Sequence, residues 1–196
     1  MTKIQSIGVY CGASNDCPEV FNEAARDLGT LMAKNSVEIV YGGGRVGLMG
    51  LMAKACMENG GKVCGVIPRF LDSHEGGFSE ITELHYVDSM HERKQMMFER
   101  SDAFAILPGG FGTLDELCEI LTWKQVGLHK KYIFILDINR YWSPIFCDAM
   151  EVLVNNKFVR KEDKNLFTLV ERVEDMIPFL SAERPENQET YVNKWG

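Results

Sequence analysis

Residues 107–116 read Leu107-Pro108-Gly109-Gly110-Phe111-Gly112-Thr113-Leu114-Asp115-Glu116. An apolar run over residues 103–107 leads into this stretch with the composition of a buried strand, and residues 113–126 leave it with the apolar spacing of an amphipathic helix. Strand, glycine turn, helix is an order that makes an anion site. Gly109, Gly110 and Gly112 let the backbone approach a ligand closely, while the unpaired N–H groups and positive dipole end of the new helix face that ligand. A phosphate is the guest this arrangement suits.

Outward from this stretch the same alternation repeats. Residues 6–11 predict a first strand, followed by the polar turn Gly12-Ala13-Ser14-Asn15. Pro18 stands near the start of a helix reaching residue 34, with Phe21, Ala24, Leu28, Leu31 and Met32 at helical spacing. A second strand over 37–41 runs into Gly42-Gly43-Gly44-Arg45-Val46-Gly47; helical spacing resumes over 48–59, Gly60-Gly61 stops it, and 62–67 form a third strand. Residues 68–80, rich in Pro, Asp, Ser, His and Gly, read as a surface loop, and 83–87 as a short strand. Ser89-Met90-His91-Glu92 has the form of a capping box ahead of a helix to residue 100. Beyond the opening stretch come a strand over 132–136, a helix over 141–155, a strand over 167–170 and a helix over 174–180. This alternation indicates right-handed crossovers, so the expected fold class is α/β, a Rossmann-like doubly wound parallel sheet with helices on both faces. A single domain over residues 1–180 and a polar tail over 181–196 account for the chain.

Composition narrows the function classes. With 45% hydrophobic and 25% charged residues, the 196-residue chain can bury one sizeable core. No apolar run approaches the roughly 20 residues of a membrane span, and Met1-Thr2-Lys3-Ile4-Gln5 does not open a leader, so a cytoplasmic protein without a membrane partner is expected. Cys11, Cys17, Cys56, Cys64, Cys118 and Cys147 contain no Cys-x-x-Cys pair and read as reduced, packed thiols. A net charge of −7 disfavours nucleic acid as a partner. His74, His85, His91 and His129 show no ligand spacing, so no metal is expected. P-loop, Gly-x-Ser-x-Gly and His-Glu-x-x-His motifs are missing too, which leaves chemistry to Arg, Glu and backbone.

Three loops, 12–15, 42–47 and 108–113, leave the C-terminal ends of expected strands, the edge at which open parallel sheets bind ligands. Gly42 to Gly47 fits Gly-x-Gly-x-x-Gly in letters, yet it follows the second strand, and the third ends in Ile67-Pro68-Arg69 without an acidic residue for a ribose; glycines serving helix-to-sheet packing are the alternative. Glu116 has two readings. It can close a Thr113-x-x-Glu116 capping box, or, with phosphate in the turn, point at the ligand's sugar and act at C1′. Arg93, flanked by Met90 and Met97, can lie along apolar surface or turn its guanidinium into the crevice. Lys94 is a further candidate there, and a Schiff base between it and pyridoxal phosphate lacks the accompanying aspartate or serine motif.

Together these residues resemble the LOG ("Lonely guy") family of cytokinin riboside 5′-monophosphate phosphoribohydrolases. The family signature Pro-Gly-Gly-x-Gly-Thr-x-x-Glu is complete from Pro108 to Glu116, its Arg-Lys motif matches residues 90–96, and the turns Cys11-Gly12-Ala13-Ser14 and Tyr41-Gly42-Gly43-Gly44 also look like the family's. The resemblance implies hydrolysis of the N-glycosidic bond of AMP or an N6-modified AMP, giving free base and ribose 5-phosphate, with no metal or redox cofactor. It assigns Arg93 and Glu116 to the catalytic pair. Gly109, Gly110, Phe111, Gly112 and Thr113 match the phosphate loop, and Ser14, Gly42, Gly43, Gly44, Met90 and Lys94 are implied substrate neighbours. Members are usually homodimers; residues 117–123 and 141–146 suit either an interface or the core. The alternative from a different class is a nucleotide or molybdenum-cofactor carrier on the same fold.

Overall fold

The computed structural model describes residues 3–181, without the side chains of 73–75. The expected tail, from residue 182 onward, and the His74 side chain lie outside the described residues. In chain order the elements are β1 (Ser6–Tyr10), α1 (Glu19–Lys34), β2 (Glu38–Tyr41), α2 (Gly47–Glu58), β3 (Val63–Pro68), α3 (Arg69–Glu75), β4 (Glu83–Val87) and α4 (Met90–Arg100). They continue with β5 (Ala103–Ile106), α5 (Phe111–Gln125), β6 (Tyr132–Leu136), α6 (Asp148–Asn155), β7 (Thr168–Val170) and α7 (Ile177–Leu180).

All strand pairs are parallel, in the spatial order β4-β3-β2-β1-β5-β6-β7. The central strands β1 and β5 are buried along their whole length, as sheets covered on both faces require. One core layer, with Leu28, Met32, Met52 and Phe134, lies under α1 and α2; the other, with Tyr10, Met97, Phe104 and Leu117, lies under α4 and α5. Chain direction across the sheet reverses between β1 and β5, so the loops leaving these neighbours part to opposite faces. They open a crevice at the topological switch point.

Four local expectations need correction. Residues 68–80 are not all loop: Pro68, whose ring presets a helix-compatible φ, opens α3, and Gly76 at φ 64° ends it. The helix after β5 begins at Phe111, two residues before the expected start. The helix expected over 141–155 starts two residues later and opens with a π-turn, Ser143–Cys147, that runs directly into α6; the buried Asp137 carboxylate accepts the N–H groups of Trp142 (2.7 Å) and Ser143 (2.9 Å) ahead of it. The 174–180 helix divides into a 3-10 turn, Val173–Met176, and α7, with Pro178 beginning the latter. A further 3-10 segment, Lys161–Leu166, has no counterpart in the expected elements. No helix among the described residues is long and apolar enough to cross a membrane.

Candidate active site

A cavity of about 260 Å³ opens at the switch point. Its floor is the end of β1 and the following turn, Val9 to Ala13; Gly42 and Met49 form one wall, Met90 and Arg93 a second. Gly110, Gly112, Thr113 and Glu116 close it from the start of α5. The two central loops are tied together, because Gly12 N–H donates to Pro108 C=O at 3.0 Å. Arg93 and Glu116 are the charged residues of the lining.

Arg93 is placed by the Ser89 cap expected before it, although Glu92 reaches back to Asp88 rather than to Ser89. Ser89 Oγ accepts the N–H of Glu92 (3.1 Å), and the Glu92 carboxylate accepts that of Asp88 (2.9 Å), which fixes the first turn of α4. One turn in, Arg93 is only 7% exposed. Its Nη2 donates to Gly42 C=O at 2.8 Å, its Nη1 lies 3.8 Å from Met90 Sδ, and its Nε has no protein partner. A buried guanidinium with an unused donor beside a cavity is a site for an anion or an electron-rich ligand atom.

The glycine turn after β5 opens onto the cavity. Gly110 is the N-cap of α5 and offers no side-chain acceptor, so the first-turn N–H groups keep their capacity for a ligand. No atom lies within 4 Å of where a Cβ on Gly110 or Gly112 would stand. The turn is held from behind: the Tyr141 hydroxyl donates to Gly109 C=O at 2.7 Å, and Thr113, 3% exposed, packs against Gly109.

Glu116 stands in the second turn of α5, half-buried on the cavity wall. The capping-box reading of this residue is corrected, because Thr113 lies inside the helix and the cap is Gly110. Burial raises the Glu116 pKa to about 7; Arg93 and Lys94 oppose that rise, while Asp115 and Glu119 add to it. Burial also holds the Tyr10 hydroxyl and Cys11 thiol well above their ordinary values, so both stay neutral.

Residues 49–180 match the family model described as possible lysine decarboxylase. A probable cytokinin riboside 5′-monophosphate phosphoribohydrolase of Oryza sativa subsp. japonica, LOGL2, is 34% identical over 195 residues, covering 99% of this chain and 80% of the relative. The chain belongs to the LOG family. The cytokinin riboside 5′-monophosphate phosphoribohydrolase of Rhodococcoides fascians is 44% identical over 142 residues, 72% of each chain. Among solved structures, a molybdenum cofactor binding protein from Rippkaea orientalis aligns with a TM-score of 0.67 at 20% identity, covering 91% of this chain and 95% of that one. At that identity the likeness is one of fold.

The residues that suggested LOG membership do not all meet at the cavity. Lys94 turns to α5, where its ammonium pairs with Asp115 (3.0 Å) and Glu119 (3.1 Å). Partial burial lowers its pKa, but these two carboxylates outweigh that and raise it, so Lys94 is a charged strut and a poor candidate for a Schiff base. Ser14 is exposed, and its Oγ accepts the N–H of Asp16 at 3.2 Å. Gly43, at φ 78°, and Gly44 hold the chain near residue 77, through a Phe78 N–H to Gly43 C=O bond of 3.0 Å and a bridge from Gly44 to Gly77. Phe111 is 92% exposed, and Met90 lines the opening at 38% exposure.

Met49 and Tyr10 line the cavity without having been singled out; the signal was their place, just after a glycine turn and at a central strand end. His85 likewise belongs to a group that residue spacing did not reveal. The β3–β4 register sets Cys64 opposite Glu83, and the ligand atoms of Cys64, Glu83 and His85 fall within 4.8 Å of one another. Arg100 already lies there as a cation, with Nη1 3.6 Å from Cys64 Sγ and 3.3 Å from the Glu83 carboxylate.

Proposed function

We propose that this chain hydrolyses the N-glycosidic bond of a purine nucleoside 5′-monophosphate, AMP or an N6-modified cytokinin-type AMP, to free base and ribose 5-phosphate. One observation carries the reading: a single cavity joins a helix N-terminus without a side-chain cap to a half-buried carboxylate and a buried guanidinium. The names of the LOG relatives support the same chemistry. Phosphate seats on the first-turn N–H groups of α5, and the sugar then extends toward Glu116, one turn further in. As the C1′–N bond breaks, positive charge grows at C1′ and negative charge on the base. The Glu116 carboxylate stabilises the first charge and accepts a proton from the attacking water, whose hydroxyl joins C1′. Arg93 faces an anionic part of the substrate, the phosphate or the departing base. A general base near pKa 7 is matched to neutral pH.

Incubating the purified chain with AMP and separating the products tests this. Adenine and ribose 5-phosphate in equal amounts are expected. AMP bound but unaltered would favour the carrier reading, which rests on the glycine turns and shared fold alone.

The same proposal includes a cytoplasmic homodimer. Six unpaired cysteines suit a reducing compartment. Of the two stretches compatible with an interface, 117–123 and 141–146, Leu117, Ile120, Trp142 and Phe146 are core, while Trp123 and Tyr141 are half-buried. Ile145, Val152, Leu153 and Phe158 are exposed by 43%, 60%, 40% and 82%, and supply the apolar surface for a second copy. Light scattering at micromolar concentration measures the oligomer directly.

A further inference from the structure

Gly42 lies 51 residues before Arg93, at the end of β2, and the two meet at the cavity wall. The Gly42 carbonyl accepts the Arg93 Nη2 hydrogen bond at 2.8 Å. A Cβ on Gly42 would stand 1.9 Å from that same Nη2 and 3.0 Å from Cζ, with Met49 Sδ at 3.2 Å. Gly42 is not among the glycines with positive φ, whereas its neighbour Gly43 is, at 78°. An alanine at 42 therefore suits the backbone and lacks only room, and the atoms it strikes are the movable end of one side chain.

We infer that Gly42 is a positioning residue: its carbonyl and its missing side chain form the seat that fixes the Arg93 guanidinium beside Glu116. The role assigned to Arg93 in catalysis rests on the function proposed above; the seat is a matter of packing. Arg93 is the main charge opposing the rise in Glu116's pKa, so a displaced guanidinium leaves that carboxyl harder to ionise. Gly42 also touches the cavity, and the rival explanation is that it simply makes room for the ligand.

The test is a double-mutant cycle read first on the Glu116 carboxyl titration by NMR, which needs no turnover, and then on kcat/KM with AMP. Gly42→Ala should raise the Glu116 midpoint in the parent chain and leave it unmoved in the Arg93→Ala background. It should lower kcat/KM by about 10- to 100-fold in the parent, the scale of a misplaced catalytic group, and by less than about 2-fold without Arg93. Gly42→Ala with Arg93→Lys, whose slimmer cation clears the methyl group, should titrate like Arg93→Lys alone even if the single alanine variant is unstable. An unmoved midpoint in Gly42→Ala, or an equal loss of kcat/KM in both backgrounds, overturns the seat. A raised midpoint in a parent chain that does not cleave AMP upholds the seat and overturns the proposed function.

Discussion

The glycine turn after β2 and the one after β5 follow buried parallel strands, lead into helices, and are nearly equal in glycine content. Their surroundings differ. In the first, a Cβ on Gly42 would strike Arg93, one on Gly43 would meet Ile67 at 3.0 Å, and one on Gly47 would come within 2.4 Å of Ala13. In the second, Gly109 is packed against Thr113, but Gly110 and Gly112 look onto open space. The first turn uses glycine to bring protein against protein, the second to leave room for something else. The letters Gly-x-Gly-x-x-Gly thus belong to a packing turn here, as the missing ribose acid after β3 suggested, and the cradle is the turn carrying Glu116 at its far end.

That contrast can be broken most sharply at Glu116. Glu116→Ala should cut adenine release by about 10²- to 10⁴-fold, the usual worth of a general acid–base group, while AMP binding by calorimetry persists. Unchanged turnover would return the residue to a structural role. Next come the glycines themselves. Gly112→Leu sends a side chain into the cradle and should raise KM for AMP by about 10- to 100-fold without lowering Tm, since leucine is a better helix former than glycine by somewhat less than the ~0.8–1 kcal/mol that separates glycine from alanine. Gly47→Ala, at φ 59° against the Ala13 backbone, should instead cost about 1–3 kcal/mol of stability, seen as a Tm lower by several degrees. Exchanged outcomes would erase the distinction between the two turns.

The pH dependence sharpens the same comparison. Between the ordinary value of 4.5 and about 7, the folded chain keeps a proton on Glu116 that the unfolded chain has lost. Stability from this group is therefore full in acid and declines as pH rises through that window, while activity that needs the carboxylate climbs through about 7. Glu116→Gln should match the parent's Tm near pH 4 and exceed it near pH 8, with the rate's dependence on this ionisation gone. The smallest expected effect is at Lys94. Without its ammonium, Glu116 loses the weaker of the two positive charges that hold its pKa down, while Arg93 remains, so Lys94→Ala should move the activity limb upward by a fraction of a pH unit and abolish nothing.

The parallel sheet and its crevice were legible because the buried strands are short apolar runs and the helices between them keep regular spacing, whereas the order of the strands was not. Residues 68–80 misled because Pro68 and Gly76 punctuate a helix in the same letters that make a loop. The start of the 141–155 helix misled because apolar spacing registers neither an opening π-turn nor Asp137 capping from a distance. At the site, the open glycine turn after β5 could be read locally, since all its parts are adjacent. Glu116 could not be decided, because Gly110 and Thr113 are both acceptable N-caps and only the fold selects the earlier one. Nothing in residues 90–97 states that Arg93 meets the carbonyl of Gly42, and nothing near Lys94 announces Asp115 and Glu119. Contacts of that kind are made by topology.

The central claim is that phosphate in the open turn after β5 delivers the sugar to Glu116. It is tested most directly by comparing AMP with adenosine as substrates of the purified chain, with base release followed by chromatography. Cleavage of AMP, with adenosine slower by at least about two orders of magnitude, is the predicted result. Adenosine cleaved as fast as AMP would contradict it.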